Sequence, residues 1–245
     1  SYRIYMEKKS KNQFHSLTPI IKYVYIDGEN NYEKGIDSKL QNLNFDTLFK
    51  SNWYSGSDFF LEQSRLILGF EHNFYNASNG NERYFSLGRA FFRDNENSLN
   101  NKGSKKSSIV AEFKADISSH LKINSSLEFD SDLEKISRGS LGIVYEKEER
   151  KNIQLRSIYK RDPKYLNFIS GWSDDGLPTN QIELISQWEL SSKFLAFGKI
   201  SRDYEKNYSR DLSYGIEYAN CCLKLGLMKR KWLDQNYYPF FGMNK

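Results

Sequence analysis

Strict period-2 alternation, sustained over stretches of about ten residues, constrains this chain more than any other feature. From Ser108 to Ile117 one face carries Ile109, Ala111, Phe113, Ala115 and Ile117, and the other carries Ser108, Val110, Glu112, Lys114 and Asp116. The next stretch repeats the pattern, with Leu121, Ile123, Leu127 and Phe129 opposite Lys122, Asn124, Ser126, Glu128 and Asp130. Ile182, Leu184 and Trp188 oppose Gln181, Glu183, Gln187 and Glu189, while Leu223, Leu225 and Leu227 oppose Lys224 and Gly226. Because side chains alternate faces along a strand, each stretch is a strand with one apolar and one polar face.

Thirteen strands are predicted, over 2–8, 19–26, 64–75, 82–93, 107–117, 121–130, 139–147, 152–161, 180–190, 194–204, 210–218, 222–232 and 237–244. Strands of soluble proteins average about five or six residues. A strand crossing a bilayer at a tilt needs about 9–11. Length therefore favours an antiparallel membrane barrel. Composition agrees once the alternation is recognised. Only 38% of residues are apolar and mean hydropathy is −0.72, values that a barrel with one polar face shares with soluble proteins. Aromatics at 16%, with 17 Tyr and 17 Phe, argue against disorder. No apolar run of 18 residues marks a transmembrane helix, and no leader peptide is visible from Ser1.

Connection lengths supply sidedness. Residues 76–81, 118–120, 148–151, 191–193 and 219–221 are short, whereas 94–106, 131–138, 162–179 and 205–209 are mostly longer and polar. Outer-membrane barrels have short periplasmic turns and long extracellular loops. The segment 27–63 is then a long, partly ordered extracellular loop, and the last strand ends in the periplasm. Tyr75, Trp188, Tyr204, Tyr218, Trp232, Tyr237 and Tyr238 fall toward strand ends, where aromatic girdles sit. Ordinary strand composition explains them equally well.

The formal net charge of +5 is scattered among acidic residues, which argues against a nucleic-acid groove. His15, His72 and His120 are isolated, and no nucleophile elbow, metal-ligand spacing or phosphate loop is present. Neither catalysis nor a cofactor is expected. Polar-face Lys and Arg read first as a solvated lumen of mixed charge, and second as contacts to phosphate groups. The only cysteines, Cys221 and Cys222, are adjacent, a spacing that excludes a zinc site built on separated pairs. They are either a free pair or, in the oxidising periplasm, anchors for two disulfides to another region.

At this point the chain, from about residue 16 to 240, resembles the LptD family. Gly215-Ile-Glu-Tyr218-Ala-Asn-Cys221-Cys222 is similar to the family's Gly-x-x-Tyr-x-x-Cys-Cys motif. Phe45-Asp46, Leu48-Phe49, Gly56 with Asp58, Arg65-Leu66 with Gly69, Leu87-Gly88, Trp188 and Leu17-Thr18-Pro19 resemble its other fragments in the expected order. Leu223 stands where the family usually has an aromatic residue. The resemblance implies an all-β, antiparallel outer-membrane β-barrel of about 26 strands, of which residues 1–245 are the C-terminal portion, with a periplasmic jellyroll lying outside this sequence. It implies a lipopolysaccharide-assembly translocon with an LptE-like plug lipoprotein, an LptA-like periplasmic bridge and outer-membrane lipids as partners. It also implies that Cys221 and Cys222 bond the N-terminal domain rather than each other. A partial barrel of 13 strands is expected to leave an open sheet. A porin-like passive channel is the competing reading, and a barrel enzyme a weaker one.

Overall fold

A computed structural model of the chain describes residues 1–27, 41–54, 63–93, 105–130, 134–148, 150–161, 179–204 and 208–232. The strands are β1 (Tyr2–Arg3), β2 (Met6–Lys9), β3 (Gln13–Ile26), β4 (Gln63–Asn76), β5 (Asn81–Phe92), β6 (Ile109–Ser118) and β7 (Leu121–Asp130). They continue with β8 (Lys135–Glu148), β9 (Lys151–Lys160), β10 (Thr179–Ser191), β11 (Phe194–Asp203), β12 (Tyr208–Ala219) and β13 (Lys224–Trp232). One short helix, α1 (Phe45–Leu48), interrupts them. All thirteen strands form one antiparallel sheet in which each of β3 to β13 pairs with its sequence neighbours. Among the described residues neither end of the sheet pairs with a further strand, so the sheet is open, as expected.

The predicted strand 2–8 is divided in two. β1 and β2 lie on the same edge of β3 in one continuous register, with Arg3 opposite Ile20 and Met6 opposite Leu17. That register puts Ile4 opposite Pro19. The Ile4 amide donates to the Pro19 carbonyl at 3.2 Å, but proline has no N–H to return the bond. The ladder is broken there, which splits one strand into two. β3 also starts at Gln13 rather than at Pro19; the proline sits inside the strand at the break, not at its start.

Other corrections are local. β8 begins at Lys135, and β13 begins at Lys224, which leaves Cys222 and Leu223 in the preceding turn. The predicted strand 237–244, with Tyr237 and Tyr238, lies outside the described residues. Within 27–63, residues 45–48 are helical and Gln63 already belongs to β4. Three of the short hairpins carry a register shift just before the turn, at Asp116/Ser118, Glu146/Glu148 and Glu189/Ser191. Such bulges add right-handed twist where the chain reverses. The β4–β5 turn instead uses Gly80 at φ +69°, with its amide bonded to the Asn76 carbonyl at 2.8 Å.

Alternation gives the sheet two different faces. Residues 41–54 lie on one, here called inner, where Ile20, Val24, Ile67, Ala90, Phe92 and Val110 are buried beneath Leu48 and Trp53. The opposite, outer face exposes Ile21, Tyr23, Leu66, Leu68, Leu127, Leu141, Ile143, Leu155, Leu184, Ile200, Ile216 and Leu227. The apolar band thus runs from β3 to β13. Trp188 and Tyr218 share the outer parity near the short turns, but Tyr75 pairs with Glu82 on the inner parity.

Candidate functional site

The inner face holds two connected features, a paired-charge wall and a segment seated against it. Glu183 is 5% exposed; Lys199 approaches it at 2.8 Å and Arg156 at 3.9 Å. Gln181 Nε2 donates to Glu183 Oε1 at 2.8 Å and to Ser201 Oγ at 2.6 Å. Arg230 binds Asp211 through two nitrogens, each at 3.1 Å. Arg138 faces Glu128 at 3.8 Å and Lys114 faces Glu112 at 3.8 Å. Opposite charges alternate along this wall, so it offers a balanced polar surface rather than a single-sign field. The solvated-lumen reading of these polar positions fits that geometry.

Residues 41–54 form the seated segment. Asn44 caps α1, its side chain accepting from the Thr47 amide at 2.7 Å while Thr47 Oγ1 accepts from the Asn44 amide at 2.7 Å. This reciprocal pair is a capping box. The Phe45 amide donates to Glu112 Oε1 at 3.1 Å, so the wall itself satisfies a helix-end donor. Asp46 lies in the first turn and is exposed. Phe45 and Leu48 are buried, at 2% and 0% exposure.

Two glycines and one arginine receive this segment. Gly69 and Gly88 are cross-strand partners. A Cβ at Gly69 would lie 2.9 Å from Phe49 Cζ, and one at Gly88 would lie 2.7 Å from Leu48 Cδ2. Only glycine lets the helix approach the strands this closely. Arg65 is completely buried. Its Nη2 donates to the carbonyls of Lys50 and Ser51 at 2.5 and 2.8 Å, and its guanidinium lies 4.2 Å from the Trp53 ring. Lys22 Nζ donates to the Phe49 carbonyl at 2.7 Å, Trp53 Nε1 donates to the Leu48 carbonyl at 3.2 Å, and Arg138 donates to Asn42 Oδ1. Lys22 thus satisfies the C-cap carbonyl of Phe49 and Arg65 the next two, while the Leu48 carbonyl is satisfied within the segment by Trp53.

Of the residues singled out in the sequence, Phe45, Asp46, Arg65, Gly69 and Gly88 belong to this one constellation. Gly56 and Asp58 lie outside the described residues. Trp188 sits on β10 facing Ala196, and Gly215 and Tyr218 sit on β12. A Cβ at Gly215 would run into the Leu227 carbonyl and the Phe197 ring, so this glycine too makes room for a neighbour. Sequence reading missed Lys22, Trp53 and Glu112 as members of the constellation. The Asn44-Phe-Asp-Thr47 spacing was the available signal for the helix start.

Cys221 and Cys222 occupy the β12–β13 turn. Asn220 Oδ1 accepts from the amides of Cys222 and Leu223 at 3.0 and 2.8 Å, a side-chain turn that projects both cysteines outward. Both thiols are free of a disulfide and exposed, with their sulfurs in a hydrogen bond at 3.1 Å. The hydrogen bond that the Cys222 thiol makes with the Cys221 sulfur, together with desolvation, holds the Cys222 thiol above its ordinary pKa.

Comparison with known proteins decides what this architecture is. Residues 1–194 match the model of the LptD family, LPS transport system D. The chain belongs to the LptD family. Relatives named LPS-assembly protein LptD cover most of it at low identity. The protein from Saccharophagus degradans is 23% identical across 95% of this chain and 29% of its own length. The LptD of Mannheimia succiniciproducens is 27% identical over 94% of the chain and 31% of its own length, and that of Histophilus somni 26% over 81% and 26%. The chain therefore spans about a third or less of these LptD relatives. An antiparallel sheet with inner charge and an outer apolar band is the expected form for a stretch of LptD wall.

Proposed function

We propose that the whole protein inserts lipopolysaccharide into the outer leaflet of a Gram-negative outer membrane, with this chain as the C-terminal part of its barrel wall. One observation carries the reading: a single antiparallel sheet in a chain of the LptD family has a continuous outer apolar band and an inner wall of paired charges. A glycan crosses such an inner wall without meeting a strong field of either sign. Acyl chains on the other side remain in an apolar medium, so they need not be exposed to water.

On this reading the short turns are periplasmic and the loop 27–63 is extracellular. The part of that loop at 41–54 folds back onto the inner face and narrows the passage. Cys221 and Cys222, projecting from a periplasmic turn, anchor two disulfides to a periplasmic domain, each adding about 2–4 kcal/mol by closing a long loop. An LptE-like plug, an LptA-like bridge feeding that domain, and outer-membrane lipids are the partners. The protein moves its cargo without chemical change, as a conduit rather than an enzyme.

Depletion of the whole protein, followed by assay of surface lipopolysaccharide, tests this. Surface lipopolysaccharide should fall. Unchanged surface lipopolysaccharide with reduced small-solute uptake would establish the porin-like channel instead.

A further inference from the structure

Two histidines that stand 57 positions apart in the sequence meet on the outer face. His15 lies two residues inside the start of β3, and His72 four residues before the end of β4, so both sit toward the β4–β5 turn. His15 pairs with Phe74 and His72 with Leu17, which makes the two histidines diagonal neighbours. Diagonal positions lie within reach of ring-bearing side chains. Both are half-buried, and the Phe74 ring packs against His15 with centroids 4.8 Å apart. His15 Nδ1 and His72 Nε2 are 3.4 Å apart.

That separation is long for a direct hydrogen bond, which usually spans about 2.7–3.2 Å. It matches one edge of a coordination tetrahedron. With zinc–nitrogen bonds of about 2.0–2.1 Å, two imidazole nitrogens at the tetrahedral angle lie about 3.3–3.4 Å apart. At the right angle of a square-planar ion, bonds of the same length would need about 2.8–3.0 Å. The geometry therefore suits a tetrahedral ion that accepts imidazole, which is what zinc is. Each ring then carries its proton on the other nitrogen, His15 on Nε2 and His72 on Nδ1.

We propose that His15 and His72 form an exchangeable zinc site that clips β3 to β4. Among the described residues no third His, Cys, Asp or Glu completes the set, so water fills the remaining positions. Structural zinc sites use four protein ligands; with two, the ion comes and goes. Two cations stand nearby and weaken its hold further. Lys8, opposite His15, is exposed, and Arg83 lies over the Phe74 ring at 5.4 Å. The clip joins β3 to β4 on the strand that carries Pro19, where the bond to its other neighbour is missing.

Diethyl pyrocarbonate modifies the unprotonated imidazole nitrogen, the one that a bound ion would cover. The whole protein, purified in detergent without a histidine tag, is stripped with EDTA and treated with the reagent, with and without zinc added back. Peptides are then read by mass spectrometry. Zinc should slow modification of His15 and His72 together by about tenfold, the effect of about nine-tenths occupancy. His120, exposed and with its Nδ1 3.0 Å from the Glu146 carbonyl, should keep its rate. In His72→Asn, His15 should lose its protection, because its partner ligand is gone. No slowing at His15 and His72, equal slowing at His120, or protection of His15 that survives His72→Asn would each overturn the site. The first two outcomes are read on the natural sequence, so a variant that fails to fold leaves the test intact.

Discussion

Gly69 and Gly88 face each other across β4 and β5, and the space that their missing side chains leave on the inner face is taken by Phe45, Leu48 and Phe49. The two positions are not equivalent. A Cβ on Gly69 would also meet the Leu87 carbonyl at 2.9 Å, whereas at Gly88 its first obstacle is the mobile end of Leu48. Backbone yields less than a side-chain tip. Gly69→Ala is therefore expected to destabilise by about 1–3 kcal/mol, as overpacking does, and Gly88→Ala by less. Urea unfolding of the folded whole protein in detergent checks the order; a larger loss at Gly88 would contradict it.

Arg65 fixes the seated segment by two carbonyls and one ring. Arg65→Lys keeps the charge but loses the planar fork and the stacking on Trp53. Loss of charged hydrogen bonds worth about 1.5–3 kcal/mol should speed amide exchange over residues 45–53 at least tenfold, with little change in β9 to β12. Hydrogen exchange read by mass spectrometry would show it. Uniform protection in the variant would mean that the segment is held by its apolar contacts alone.

Glu183 is the acceptor for Lys199, Arg156 and Gln181. Glu183→Gln removes the negative charge from between two cations on the inner wall. A loss of about 1–3 kcal/mol is expected, because the cations are left without their carboxylate. Glu183→Gln combined with Lys199→Gln should recover part of it, and a double-mutant cycle measures the coupling. Strict additivity would show that the pair is not coupled.

Cys222 offers a pH-dependent readout. Its raised pKa means less thiolate at any given pH, so iodoacetamide should label it more slowly than an ordinary exposed thiol, with the midpoint displaced to higher pH. The largest cause is the hydrogen bond with Cys221. Cys221→Ser should shift the Cys222 labelling profile; an identical profile would show that the contact between the sulfurs does not form in the reduced protein.

The strands were legible because alternation is a local property, visible wherever one face is apolar and the other polar. Ile109 to Phe129 needed nothing from elsewhere in the chain. The failures occur where the determinant is distant. Glu112 reads as one more polar residue of β6, and only the fold brings Phe45, 67 positions earlier, to its carboxylate. Lys22 is likewise an ordinary polar-face position until Phe49 arrives. The split between β1 and β2 was hidden because its cause, Pro19, lies on the neighbouring strand. Motif resemblance did gather Phe45, Arg65, Gly69 and Gly88 into one group, but it could not say that two glycines are the socket for Phe45, Leu48 and Phe49.

The missing bond at Ile4 and Pro19 has a mechanical consequence. A hairpin with an unbroken ladder comes apart progressively, each pair supporting the next. Here β1 meets β3 at two positions and β2 at four, with a soft spot between them. Tension applied at Ser1 would detach Tyr2 and Arg3 first and then stall, because Met6 to Lys9 form a separate zipper. Pro19→Ala restores the absent donor and joins the two. A tether attached at Ser1 and pulled in a single-molecule trap should then show one rupture where the natural sequence shows two.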